Sequence, residues 1–354
     1  MSTLKVNSIQ NATGTTAVTL DASGNATFAG TVVSNSSMGM RNRIINGDMR
    51  IDQRNAGASV TQTAANIYSL DRWVSYGSQA SKMTLQQSST AAVGFTKSIV
   101  ITSSSAYSIT SSDLFILRQH IEGHNIADLG WGTANAKTVT LSFWVRSSLT
   151  GTFGGAIQNG SVNRSYPFTY TISAASTWEQ KTVTIAGDTS GTWATDTTTG
   201  IRVVFGLGVG STFSGTAGAW AGAELYSATG ATSVVGTNGA TFYITGVQLE
   251  VGSTATPFER RMYGQELALC QRYFWTNPNT YRYTKMRESD RLRGCTICLP
   301  VPMRATPTMT KISDPSGITW TWQLASVTSV YGDGTAPSDG YTDYCGVMQA
   351  SAEL

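Results

Sequence analysis

The sequence predicts an all-β chain in three parts, and three features predict it. Short runs of alternating polar and apolar residues recur along the whole chain, rich in β-branched and aromatic side chains. Clusters of Gly, Ser, Thr and Asn separate these runs, with 36 glycines in 354 residues. Only one short stretch carries a helical period, so a parallel sheet built from alternating strands and helices is not expected.

The first part spans residues 1–36. In TAVTLDASGNATFAGTV, Val18 and Leu20 alternate with threonines, a Gly-containing turn follows, and Ala26, Phe28 and Val32 resume the pattern. This predicts a β-hairpin. A lone hairpin is marginal in water, so its apolar residues must pack against another chain or another domain. The stretch from Ser34 to Met40 reads as a linker. In RNRIINGDMRIDQRNAG, Ile44, Ile45, Met49 and Ile51 sit among charges around an Asn46-Gly47 turn signal.

The second part spans residues 41–262. KSIVITS, TVTLSFWVRSS, EQKTVTIAG, IRVVFGLGV and TFYITGVQLEVG read as strands of an antiparallel sandwich or jelly roll. In LSFWVRSS, Phe143 and Trp144 must point to opposite faces, so one of them belongs to a core. The third part spans residues 264–354. It opens with the best helix candidate, 264–274, in which Leu267, Cys270 and Phe274 fall at i, i+3 and i+7. It then returns to a β-pattern in RGCTICLPVPM and GITWTWQLASVTSV.

Composition narrows the function. Charged residues make up 13% against 40% hydrophobic and 10% aromatic, the reverse of a disordered chain. A net charge of +3 gives no field that argues for nucleic acid. Basic residues gather between Arg260 and Arg293, which reads as a solvated or inter-subunit face. Four cysteines are too few for a disulfide scaffold. No signal-peptide pattern or spanning apolar run is visible, so synthesis in a cytoplasm and no membrane insertion are expected.

The motifs that could carry chemistry are weak. Gly206, Gly208 and Gly210 follow a strand-like run, but no helix follows to hold a phosphate. Cys295 and Cys298 form a single CxxC without a second pair, and they read as packed thiols. His120, Glu122 and His124 could form an acid–base or metal group, but they read instead as a structural loop at one end of the sandwich. Asp113, Glu122, Asp188, Asp196 and Glu224 are available as carboxylates, and nothing in the sequence pairs them for glycan hydrolysis. No metal site, cofactor or catalytic residue is expected. The nine tryptophans stand out, because exposed aromatic faces stack on the apolar faces of sugars.

Two passages carry a family resemblance. RNRIINGDMRIDQRNAG through YSLDRW, and FYITGVQLEVGSTATPFERRMYGQELALCQRYF through LPVPMRATPTMT, resemble tail-fibre and related virion structural proteins of tailed phages. STLKVNSIQNATGTTAVTLDASGNATFAG is similar to their N-terminal modules. The order LSFWVRSS, WEQKTVTI, YITGVQLEVG resembles the sandwich of family 4/9 carbohydrate-binding modules. This resemblance implies a homotrimer on the phage tail. Its N-terminal module would attach to a tail, baseplate or adaptor protein through Leu4, Val6, Ile9, Val18, Leu20 and Phe28. The C-terminal part would be the distal tip, touching a host surface glycan or protein. There YFWTNPNTYRYTKMRESDR interleaves Trp275, Tyr281 and Tyr283 with Arg282 and Lys285, while Trp320 and Trp322 share one strand face, and these seven residues are the expected receptor contacts. Two alternatives remain: a capsid-attached head fibre, and a polysaccharide depolymerase.

Overall fold

The computed structural model describes residues 6–10, 13–23, 26–28, 40–277, 296–313, 319–335 and 347–354. The chain divides into two compact units, Met1–Met40 and Arg41–Leu354.

The first unit is a three-stranded antiparallel meander of β1 (Ser8–Gln10), β2 (Thr16–Leu20) and β3 (Ala26–Phe28), in that order. The predicted hairpin is the pair β2 and β3, with Val18 opposite Phe28. Val18 and Leu20 are half-buried, whereas Val6 and Ile9 are 37% and 53% exposed. Leu4 lies outside the described residues, as does the side chain of Phe28.

The second unit is dominated by a sandwich of two six-stranded antiparallel sheets. In chain order its strands are β4 (Val60–Thr61), β5 (Ile67–Leu70), β6 (Trp73–Gly77), β7 (Met83–Ser88), β8 (Ser98–Ser103), β9 (Leu114–Glu122), β10 (Val139–Ser147), β11 (Gly151–Asn159), β12 (Ser165–Ile172), β13 (Glu179–Ile185) and β14 (Thr199–Val209). A short parallel pair follows, β15 (Ser214–Gly215) with β16 (Ser227–Ala228), and then β17 (Thr241–Val251). One sheet runs β13-β10-β17-β8-β7-β4 and the other β12-β11-β14-β9-β6-β5.

Side-chain alternation explains the burial. On β10, Leu141, Phe143 and Val145 face the opposite sheet and are fully buried, while Ser142 and Trp144 face outward. On β9, Phe115, Leu117 and Ile121 face the same core. Rings bridge the two sheets, with Phe143 5.1 Å from Phe205 and Phe153 5.9 Å from Phe242. Such aromatic pairs add about 0.5–1.5 kcal/mol each beyond the area they bury.

The Arg41–Arg54 passage docks on the sandwich as a polar hub. The buried Asn46 side chain donates to the carbonyls of Ile51 (2.8 Å) and Asp71 (3.0 Å) and accepts from the Ile51 amide. The Asn46 carbonyl receives the Trp73 indole at 2.9 Å. Gly47 is required by close approach, since a Cβ there would lie 2.2 Å from the Val247 carbonyl oxygen.

The helix α1 spans Tyr263–Gln271, with Glu266 and Cys270 buried. It ends three residues before the predicted limit, because Tyr273 turns to donate to Glu122 (2.7 Å) and Phe274 opens the next strand. Beyond it lie two three-stranded sheets. β18 (Phe274–Asn277), β23 (Val347–Ser351) and β20 (Thr308–Ser313) form one, in that order. β19 (Thr296–Cys298), β22 (Ser329–Thr335) and β21 (Thr319–Ala325) form the other.

The expected break at 262–264 is crossed by many bonds. Arg272 grips Glu122 of β9 through two nitrogens, at 2.6 and 3.0 Å. Arg304 donates to the Thr197 carbonyl at 2.9 Å, and Arg72 pairs with Glu353. Arg72 also stacks on Tyr273, and Arg54 on Phe274, at 3.5 and 3.6 Å from the ring centres. Arg261 and Arg272 of the basic cluster are thus engaged within the chain rather than forming a solvated face.

Candidate ligand grooves on the two outer faces

The outer face of the first sheet carries an aromatic groove of about 480 Å³. Its floor is a bulge: the β10–β17 register shifts between Ser142 and Trp144, opposite Gly246. Gly246 holds φ +61°, and a Cβ there would come 2.6 Å from Phe95 and 3.2 Å from Trp144. The missing side chain lets the two rings converge.

The chain after β17 folds back to form one wall. Glu250 accepts the Thr256 amide at 2.8 Å and its hydroxyl at 2.6 Å, and Gln248 accepts the Glu259 amide at 2.7 Å. This fixes Phe258 and Arg260 over the sheet. Phe258 meets Phe95 edge-on at 5.2 Å, and the Arg260 guanidinium lies 4.8 Å from the Phe95 ring centre. Ser142 and the exposed Gln180 complete the lining. The groove therefore offers half-buried aromatic faces beside amide, hydroxyl and guanidinium groups. None of its lining residues is a carboxylate, so it lacks the acid–base pair that glycan hydrolysis uses.

The outer face of the second sheet carries another groove, of about 400 Å³, lined by Tyr76, Arg118, Arg202, Glu224 and Tyr226 among others. It is rich in charge where the first is rich in rings.

The sequence candidates fall elsewhere. Trp275 is buried among Leu299, Met303, Val330 and Met348, so it packs a small core and presents no face to a receptor. Tyr281, Arg282, Tyr283 and Lys285 lie outside the described residues. Trp320 and Trp322 lie two apart on β21, and their side chains are likewise outside the described ones. Cys270 is buried, its thiol pushed well up by burial, and Cys298 is exposed.

His120 and Glu122 are not in a loop but on β9. The His120 ring is buried, and burial together with Arg118, Arg202 and Arg72 drives its pKa well below the ordinary value. Burial alone would raise Glu122, but hydrogen bonds from Arg272 and Tyr273 outweigh it and hold the carboxyl low. His124 is exposed, so the three do not form an acid–base group. Asp113 accepts from Ser78, Tyr107 and Thr110, and Asp188 is clasped by Arg164 at 2.7 Å through two nitrogens. Asp196 holds Thr198, and Glu224 accepts from Tyr226.

The tryptophans divide in the same way. Trp73 is fully buried. Trp131, Trp193 and Trp220 form a three-way edge-to-face cluster, with centres 4.6–5.5 Å apart. Trp178 meets Tyr243 at 6.2 Å. Trp144 lines the aromatic groove. Sequence reasoning separated it from Phe143. It missed Phe95 and Phe258, whose loops meet Trp144 only in three dimensions.

Comparisons with known proteins give distant likenesses. No family model matches the chain, and no curated protein matches it. Among solved structures, the enzymatically active domain of tailspike protein 4 from bacteriophage CBA120 is 12% identical, with a TM-score of 0.33 over 60% of this chain. The chain spans only 22% of that protein's length. A putative sugar-binding protein from Bacteroides thetaiotaomicron is 14% identical over 60% of this chain and all of its own, with a TM-score of 0.35. A family 11 carbohydrate-binding module from Clostridium thermocellum, solved with a mixed-linked tetrasaccharide, is 12% identical over 56% of this chain and 98% of its own, with a TM-score of 0.29.

Proposed function

We propose that this chain is a non-enzymatic, glycan-binding structural protein of a phage particle, a tail fibre that acts as a homotrimer on the host surface. The observation that carries the glycan reading is the groove of Trp144, Phe95, Phe258 and Arg260. Flat rings beside convergent donors and acceptors are what a pyranose needs, because it is apolar on its faces and polar at its rim. The tail-fibre reading rests on the sequence resemblance of the two passages that interlock around Asn46 and Glu122. The exposed Val6 and Ile9 support association of copies through the first unit. In a trimer three weak grooves act together, since linked sites raise the effective concentration to about the millimolar range.

The test is a glycan-array and host-cell binding assay with the full chain and with Trp144→Ala. The variant is expected to fold normally and to lose about tenfold or more in glycan affinity, as a buried aromatic anchor does. Unchanged binding by the variant would refute the groove. A compact monomer by light scattering would refute the trimer.

A further inference from the structure

We propose that the outer face of the second sheet holds a separate site for a negatively charged sugar, its oxyanion bound between Arg118 and Arg202.

The register places these residues together. On β9 and β14, Arg118 lies opposite Val204 and Arg202 opposite His120, so the two arginines are diagonal neighbours on one face. Diagonal neighbours are about 7–8 Å apart, within reach of long side chains. Arg118 is only 8% exposed and Arg202 is half-buried. Both line the groove with Tyr76 and Tyr226.

Neither guanidinium forms an ion pair among the described residues. Arg118 donates to the Asn66 side-chain oxygen at 3.0 Å, and Arg202 to the Gly160 carbonyl at 2.9 Å. The Nε of each is buried without a hydrogen-bond partner, and so is the Nε2 of the adjacent His120. The one carboxylate lining the groove, Glu224, accepts the Tyr226 hydroxyl at 2.6 Å. Two like charges thus lie side by side, largely desolvated, with Glu224 the one acid lining their groove and no ion pair to either, an arrangement that favours a further anionic partner. Burial lowers the pKa of both, and the charge of Arg118 lowers that of Arg202 further.

A planar carboxylate or a phosphate bridging the two would supply that partner, since guanidinium groups bind such oxyanions through paired hydrogen bonds. The rings of Tyr76, Phe213 and Tyr226 suit the apolar face of the sugar that carries the oxyanion. The site differs in class from the aromatic groove, and it stands or falls independently of it.

The experiment is calorimetric titration of the full chain with methyl glucuronide, glucose 6-phosphate and neutral methyl glucoside. Both charged sugars should bind, the neutral sugar should not compete, and affinity should fall with added salt. The two charged probes separate carboxylate from phosphate as the preferred oxyanion. Arg202→Gln should weaken binding about tenfold or more, and Arg202→Lys should restore part of it. Glu224→Gln should tighten binding by removing the one negative charge in the groove. Circular dichroism confirms that each variant is folded. The proposal is overturned if neither charged sugar binds, if Arg202→Gln binds like wild type, or if the neutral sugar binds equally well to Trp144→Ala, in which the aromatic groove is removed.

Discussion

The tryptophan cluster and the aromatic groove use the same chemistry for opposite ends. Trp131, Trp193 and Trp220 turn their edges into each other, and each indole N–H finds a backbone carbonyl: Lys137 at 2.7 Å, Ser190 at 3.2 Å and Ala186 at 2.8 Å. Every polar tip is spent internally, Trp131 and Trp193 are buried and Trp220 half-buried against them, and the cluster pins the segments around residues 131, 193 and 220. In the groove, Trp144 and Phe95 converge over a residue without a side chain, and their rings remain half-buried. What separates packing from recognition is therefore not how many aromatics a region has, but whether their faces are already covered.

This contrast is sharpest under truncation. Trp131→Ala should lower stability by about 3–5 kcal/mol in a denaturant titration, because it opens a cavity and removes the ring that both Trp193 and Trp220 pack against. If the loss is below about 1 kcal/mol, the cluster is not the structural element described above.

Polar burial extends the comparison to the hub. Asp71 is buried and accepts from Gln53 at 2.6 and 2.7 Å, yet burial pushes its pKa from 3.8 up to about 6. The folded chain therefore holds this proton more tightly than the unfolded chain. Its contribution is full below pH 3.8 and is lost as pH rises through about 6. The effect amounts to at most about 3 kcal/mol. Glu122 works in the opposite sense: its lowered pKa gives stability that is present above its unfolded value and lost as acid protonates it in the fold. Asp71→Asn should flatten the loss of stability between pH 4 and 6, measured by urea midpoints. An unchanged slope would mean that Asp71 does not carry it.

Strands were legible in the sequence wherever one face was buried and the other wet. KSIVITS and EQKTVTIAG match β8 and β13 to within a few residues, since alternation with period two is a direct imprint of a half-buried sheet. β9 was misread because both of its faces are covered. Its polar residues Arg118, Gln119, His120 and Glu122 look like a loop until distant partners are supplied, such as Ile45 for Gln119 and Arg272 for Glu122. The same limit applies to the grooves. Phe95, Trp144 and Phe258 are brought together by a bulge and a folded-back segment, and no local pattern encodes either. Trp275 misled for the converse reason: flanking arginines and tyrosines made a core residue look like part of a binding surface.

The smallest stability effect falls at Gly246, and there it separates the two roles most cleanly. Gly246→Ala adds one methyl group where φ is +61° and the nearest ring atom is 2.6 Å away. The left-handed backbone and the crowding should together cost about 1–2 kcal/mol. The displaced atoms are side-chain tips of Phe95 and Trp144 at the surface, not the sandwich core, so the fold should survive. Glycan affinity should nevertheless fall, because Phe95 and Trp144 can no longer converge. A variant with wild-type binding and a lowered melting midpoint would show that the convergence of the rings is only packing, and the groove would then belong with the tryptophan cluster.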